Sequence, residues 1–164
     1  MTIRFGILTL SDRSARGERA DSSGAALASL VQSQGWYVVR QSILPDDESA
    51  IRAALVEWSD RGEMDVILTT GGTGFARRDV TPEATRAVIQ REAPGIAEAM
   101  RAESLKKTPH AMLSRAVAGI RGQTLIVNLP GSPKGAEENL TTIIAVLPHA
   151  VQLLKDDPES ETSH

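Results

Sequence analysis

The sequence predicts an α/β fold, a three-layer α/β/α domain with a mostly parallel central sheet. Short apolar, strand-like runs alternate with stretches of helical periodicity, the pattern of strands joined by crossover helices. Polar clusters fall at the carboxyl ends of those runs, where open parallel sheets keep their ligand sites. A length of 164 residues with 41% hydrophobic content suits one core and would leave two independent domains marginal. One domain is expected over residues 1–155. The rest, "DDPESETSH", has no apolar residue and is expected to be a disordered tail.

Ile3 to Leu10 reads as a buried strand closed by Ser11-Asp12-Arg13. Asp21 or Ser22 caps a helix whose Leu27, Leu30 and Val31 share a face, and Gly35 suits its left-handed exit. Trp36 to Leu44 is a second strand, Pro45-Asp46-Asp47 a turn, and Ile51, Ala54, Leu55 and Trp58 recur at helical spacing until Gly62. Met64 to Thr70 is the third strand. Thr81 is the expected N-cap of the next helix, with Pro82 at its first position. Beyond it Pro94 opens a helix, Ala111 to Val117 forms a short one, and Gly119 to Gly122 is a turn before the strand Thr124 to Leu129. Ser132 and Pro133 start a last helix with Leu140, Ile143, Ile144 and Leu147 on one face; Pro148 kinks or restarts it before Val151 and Leu154.

A net charge of −3 supplies no global positive field for nucleic acid or an anionic membrane. Aromatic residues make up 3% and are scattered, which disfavours a base-stacking platform. The absence of cysteine excludes disulfides, thiolate metal sites and a cysteine nucleophile. The apolar run in "MTIRFGILTLSDR" is too short for a signal peptide or a span, and a cytoplasmic location is expected. The three histidines share no metal-ligand spacing.

In "LTTGGTGFARRDVTPEAT", from Leu68 to Thr85, three glycines sit between a strand and a helix. Gly71, Gly72 and Gly74 allow positive φ and a close backbone approach, so that successive N–H groups form an anion nest. Arg77, Arg78 and the helix start at Thr81 add positive charge for phosphate. The same residues also describe a tight connection with solvated arginines. The loop is neither a Walker A motif nor a Rossmann fingerprint. Asp46 and Asp79 each close a strand-end loop just ahead of a helix. They are caps or turn formers, or they hold Mg²⁺, which typically binds through one or two carboxylates plus substrate phosphates. Acids beside a phosphate nest repel the ligand unless a cation intervenes. Asn128-Leu129-Pro130-Gly131-Ser132 reads by itself as turn chemistry, and Ser114-Arg115 as a helix-end pair.

The stretch "TTGGTGFARRDVTPEAT", followed by "MLSRAVAGIRGQTLIVNLPGSP", resembles the molybdopterin adenylyltransferase family of molybdenum-cofactor biosynthesis, including the G domains of gephyrin and its plant counterpart. The likeness begins at "LTLSDRSARGERADSSG" and runs to the last helix. It implies a three-layer α/β domain, usually trimeric, that uses Mg-ATP to transfer AMP to the terminal phosphate of molybdopterin. It further implies that Gly71, Gly72, Thr73 and Gly74 contact the nucleotide, and that Asp46 and Asp79 are the acids required for adenylylation. Ser114 is then part of the pterin and phosphate site. Asn128, Pro130 and Gly131 line the nucleotide pocket, and Ser11 and Asp12 fall on the same rim. The chain lacks the insertion some members carry after the Pro-Gly turn. It also carries no second domain for molybdate insertion, so a separate protein is expected to take the product. The alternative is a non-catalytic pterin-binding or scaffold module of the same fold.

Overall fold

The computed structural model describes residues 1–156. The first apolar run forms β1 (Arg4–Leu10), whose end passes through Ser11 into a one-turn helix, α1 (Asp12–Ala15). Then follow α2 (Ser22–Ser33), β2 (Tyr37–Leu44), α3 (Glu48–Asp60), β3 (Val66–Thr70) and α4 (Thr81–Val88). The second half comprises β4 (Arg91–Glu92), α5 (Pro94–Leu105), a 3₁₀ turn at Pro109–Leu113, β5 (Ala118–Arg121), β6 (Thr124–Leu129), α6 (Pro133–Ile143) and α7 (Leu147–Leu154).

The six strands lie in the order β2-β1-β3-β6-β5-β4. The pairs β1–β2, β1–β3 and β3–β6 are parallel, while β5 runs antiparallel to β6 and β4 to β5. Alternation along β1 divides the core. Phe5 and Ile7 pack with Leu27, Val31, Leu140 and Leu147 on one face; Leu8 and Leu10 pack with Ile51, Leu55, Trp58 and Val88 on the other. Gly6 is small because Trp58 lies over it: a Cβ there would sit 2.8 Å from the indole ring. Helices thus cover both faces of a mostly parallel sheet, as the alternation predicted. Strand order reverses between β1 and β3, and a crevice beyond their carboxyl ends is where ligands bind in such sheets.

Three local expectations need correction. Gly119 to Arg121 is not a turn: it belongs to β5, paired in register with β6 from Ala118↔Val127 to Arg121↔Thr124, and only Gly122, at φ +59, turns the chain. Ala111 to Val117 is not a helix; the 3₁₀ turn ends at Leu113 and Ser114 is already extended. Thr81 is not the N-cap of α4. Val80 occupies that position without a side-chain cap, and the buried Thr81 hydroxyl donates to the Gly71 carbonyl at 2.9 Å. Pro94 and Pro148 sit in the first turns of α5 and α7, and a 3₁₀ turn at Ile144–Val146 marks the restart expected at Pro148. Residues 157–164 of the expected tail lie outside the described residues. Among the described residues no helix is long and apolar enough to cross a membrane.

Candidate active site

A cleft of about 320 Å³ opens where β1 and β3 end, walled by Ser11, Asp46, Gly71, Gly72, Asp79 and Gly131. Two helix starts, Asp21 to Ser23 of α2 and Ser132-Pro133 of α6, complete it. Each brings a positive dipole end toward the space. Asp47, rather than Asp46, caps α3 by accepting from Ala50 N–H at 2.9 Å, which leaves Asp46 for the cleft. Asp46 and Asp12 hold each other: the Asp46 N–H donates to Asp12 Oδ1 at 3.0 Å and the Asp12 N–H to Asp46 Oδ2 at 3.1 Å. The other oxygen, Asp46 Oδ1, is buried and accepts no hydrogen bond. Burial, together with the charges of Asp12 and Asp79, raises the Asp46 carboxyl above its ordinary value. A bound cation would reverse both effects, so the residues fit one. Among the described residues no group of three or more His, Cys, Asp or Glu side chains could hold a metal. With Asp21 engaged by the Thr9 hydroxyl and the Gly24 N–H, Asp46 and Asp79 would therefore need ligand oxygens to complete the shell.

Asp12 does not wall the cleft. Its carboxylate receives the Arg78 fork at 2.9 Å on each oxygen, and that pairing lowers it below the usual range. Arg78 is therefore engaged with protein and is not a free phosphate donor, whereas Arg77 is exposed and no ion pair forms on it among the described residues. Arg19 is the sole cation among the described residues lining the cleft.

The glycines serve packing first. Gly71 and Gly72 have φ of +103 and +68, and a Cβ on either would lie 2.3 Å from the Leu10 carbonyl or the Thr81 hydroxyl respectively. The Gly71 N–H donates to the Leu129 carbonyl at 3.1 Å, so it is not part of an anion nest. Gly74 has no positive φ. The start of α4 is closed by the loop itself, since the Thr81 N–H donates to the Gly72 carbonyl at 3.2 Å.

Across the loop lies a second cavity of about 350 Å³, walled by Thr73, Gly74, Ser114 and Pro130 together with Arg101 and Lys107. Ser132 lines both cavities. Asn128 reaches neither. It is fully buried, accepts from the Val117 N–H at 3.0 Å, and donates to Thr69 Oγ1 at 3.0 Å and Thr85 Oγ1 at 2.9 Å. The expected pocket role thus gives way to a structural one beneath the loop.

Residues 6–149 match the family described as "Probable molybdopterin binding domain". The chain belongs to this family. It is 48% identical over 157 residues to the molybdenum cofactor synthesis protein cinnamon of Drosophila melanogaster, covering 95% of this chain but only 26% of that protein's length. It is 41% identical to the molybdopterin adenylyltransferase of Escherichia coli K12, covering 99% of this chain and 90% of that one. The crystal structure of the molybdopterin biosynthesis enzyme MoaB from Thermus thermophilus superposes with a TM-score of 0.90 at 51% identity, covering 96% of this chain and 99% of that one.

In this member of the family the structure brings Ser11, Asp46, Asp79, Gly71, Gly72 and Gly131 to one cleft, and Thr73, Gly74, Ser114 and Pro130 to its neighbour. Sequence reasoning missed Arg19 and Asp21 at the first cavity, and Arg101, Lys107 and His110 at the second. Asp21 was legible only as a helix cap, a role it does fill through the Gly24 N–H at 2.9 Å. Arg101 carries no local signal, because only the packing of α5 against the 3₁₀ turn brings it near Ser114.

Proposed function

We propose that this chain is a molybdopterin adenylyltransferase, with ATP in the acidic cleft and molybdopterin in the adjoining cavity. The observation that carries the reading is the shared wall: two cavities of substrate size meet at the glycine loop and Ser132. A phosphate held in one can therefore face a triphosphate held in the other. The terminal phosphate oxygen of molybdopterin forms a bond to the α-phosphorus of ATP. The bond from that phosphorus to the bridging oxygen breaks, and pyrophosphate leaves with the electron pair.

A phosphate monoester is already ionised at neutral pH, so alignment and charge neutralisation limit the rate, and no strong base is needed. Mg²⁺, held by Asp46 and Asp79, would supply neutralisation of the approaching anions and of the leaving group. The chain's own contribution begins with the starts of α2 and α6, whose positive dipole ends lie at the cleft. Arg19 adds a full positive charge on the open side. Asp12 keeps Asp46 in place through the paired backbone hydrogen bonds. A homotrimer in the cytoplasm that passes its product to a separate molybdate-inserting protein belongs to the same proposal, supported by the family resemblance.

Pyrophosphate release from Mg-ATP, measured with and without molybdopterin, tests the reading. Release that requires both supports the enzyme; tight molybdopterin binding without release would make the domain a scaffold. Asp79→Asn should leave the fold intact and cut turnover by about 100-fold or more. A near-normal rate with titrated enzyme would remove Asp79 from the mechanism.

A further inference from the structure

Arg115 commits its donors to the glycine loop and the first turn of α4 that follows it. Its backbone N–H donates to the Thr73 carbonyl at 2.9 Å and its Nε to the Gly74 carbonyl at 2.8 Å. Nη2 donates to the Asp79 carbonyl at 2.8 Å, and Nη1 pairs with Glu83. These acceptors belong to different cavities: Thr73 and Gly74 wall the second, Asp79 the first. The residue before it, Ser114, also walls the second, and its carbonyl accepts from Arg101 Nη1 at 3.3 Å.

The tip of the loop has little else to hold it. Phe75 is 70% exposed and Arg77 is exposed. Ala76 and Asp79 bond chiefly to each other, the Ala76 N–H to Asp79 Oδ2 and the Asp79 N–H to the Ala76 carbonyl. The remaining side-chain tie is Arg78 to Asp12 at the rim of the first cavity. The tip therefore hangs between two guanidinium forks, that of Arg78 on Asp12 and that of Arg115 on Gly74 and Asp79.

Resting on the functional reading above, we propose that Arg115 is a positioning residue that transmits occupancy of the molybdopterin cavity to Asp79, so that each substrate strengthens binding of the other. A planar guanidinium holds two carbonyls in fixed relation, which a lysine ammonium does not reproduce. A ligand that settles against Ser114 displaces or orders Arg115, and Gly74 and Asp79 follow because they share its fork. Coupling of this kind is reciprocal in binding free energy.

The test is calorimetric titration of the full chain with Mg²⁺ and α,β-methylene-ATP, whose α–β bond cannot be cleaved, with molybdopterin present or absent. The unaltered chain should bind the analogue at least about fivefold more tightly when molybdopterin is present. In Arg115→Lys that factor should fall to about one while each ligand alone binds within about threefold of normal, so that the KM for ATP at saturating molybdopterin rises about fivefold. A general structural loss would instead weaken both ligands singly. Glu83→Ala, which removes only an exposed partner of the fork, should reduce the factor and carries the test if Arg115→Lys does not fold. A factor of one in the unaltered chain overturns the inference, as does an unreduced factor in either folded variant. Pyrophosphate release is measured on the same preparation. Its absence from the unaltered chain overturns the functional reading, whereas release with undiminished coupling in the variants overturns this inference alone.

Discussion

Asp46 keeps one carboxylate oxygen buried without a hydrogen-bond partner, an arrangement that costs stability whenever the group is ionised. Its folded-state pKa is raised, by burial first and then by Asp12 and Asp79. The sign follows: stability is fully present below the unfolded value and is lost as pH rises through the folded value. Asp46→Asn should therefore raise the melting temperature at pH 7, leave it little changed at pH 3, and abolish most turnover. A lower melting temperature at pH 7 would show that the acid stabilises the fold. Asn128 makes the opposite case. Its three side-chain hydrogen bonds satisfy the Val117 N–H and the hydroxyls of Thr69 in β3 and Thr85 in α4. Asn128→Ala should destabilise by about 2–4 kcal/mol in denaturant unfolding. An unchanged midpoint with a raised KM for ATP would return it to the pocket. The acids were legible in the sequence from their position at strand ends. The role of Asn128 was not, because its partners lie 11, 59 and 43 positions away.

The strand-to-helix loop shows what an element demands of its residues. Gly71 and Gly72 combine positive φ with backbone and hydroxyl neighbours at contact distance, so alanine at either position is strained and also collides. Gly71→Ala, which meets the Leu10 carbonyl, should cost about 2–3 kcal/mol or more, read as a lower midpoint in chemical unfolding. Gly95, in the first turn of α5 with nothing within 4 Å of an added Cβ, should gain about 0.4–1 kcal/mol from Gly95→Ala. Equal effects at the two positions would mean that the loop is not packed as described. Helical periodicity marked α2, α3 and α6 because each buries a regular stripe. It did not mark β5, where four residues including a glycine become a strand only by pairing with β6 and β4.

At the scale of the molecule, one buried acid ties distant parts of the chain together. Asp65, 2% exposed, immediately precedes β3 and takes hydrogen bonds from the Arg4 backbone and guanidinium in β1, with Lys155 Nζ just beyond α7 at 2.9 Å. Burial works to raise this carboxyl, but the Arg4 and Lys155 hydrogen bonds outweigh it and hold it below the ordinary value. A depressed folded pKa gives stability that is present above the unfolded value, about 3.9, and lost as pH falls through the folded one. Acid unfolding should consequently set in below about pH 4, and Asp65→Asn should lower stability at pH 7 and flatten that acid limb. An unchanged limb would assign it to other carboxylates. Sedimentation tests the proposed trimer, with three times the mass of the 164-residue chain expected; a monomer at micromolar concentration would remove it. The amino-acid sequence alone determined the α/β class and the strand ends that carry polar residues, since periodicity and turn chemistry are local. Tertiary structure decided which polar groups face a cavity and which are engaged by protein. Arg78, Asp12, Asn128 and Arg115 find their partners 66, 34, 43 and 36 positions away, and no local pattern encodes a contact between residues that only folding brings together.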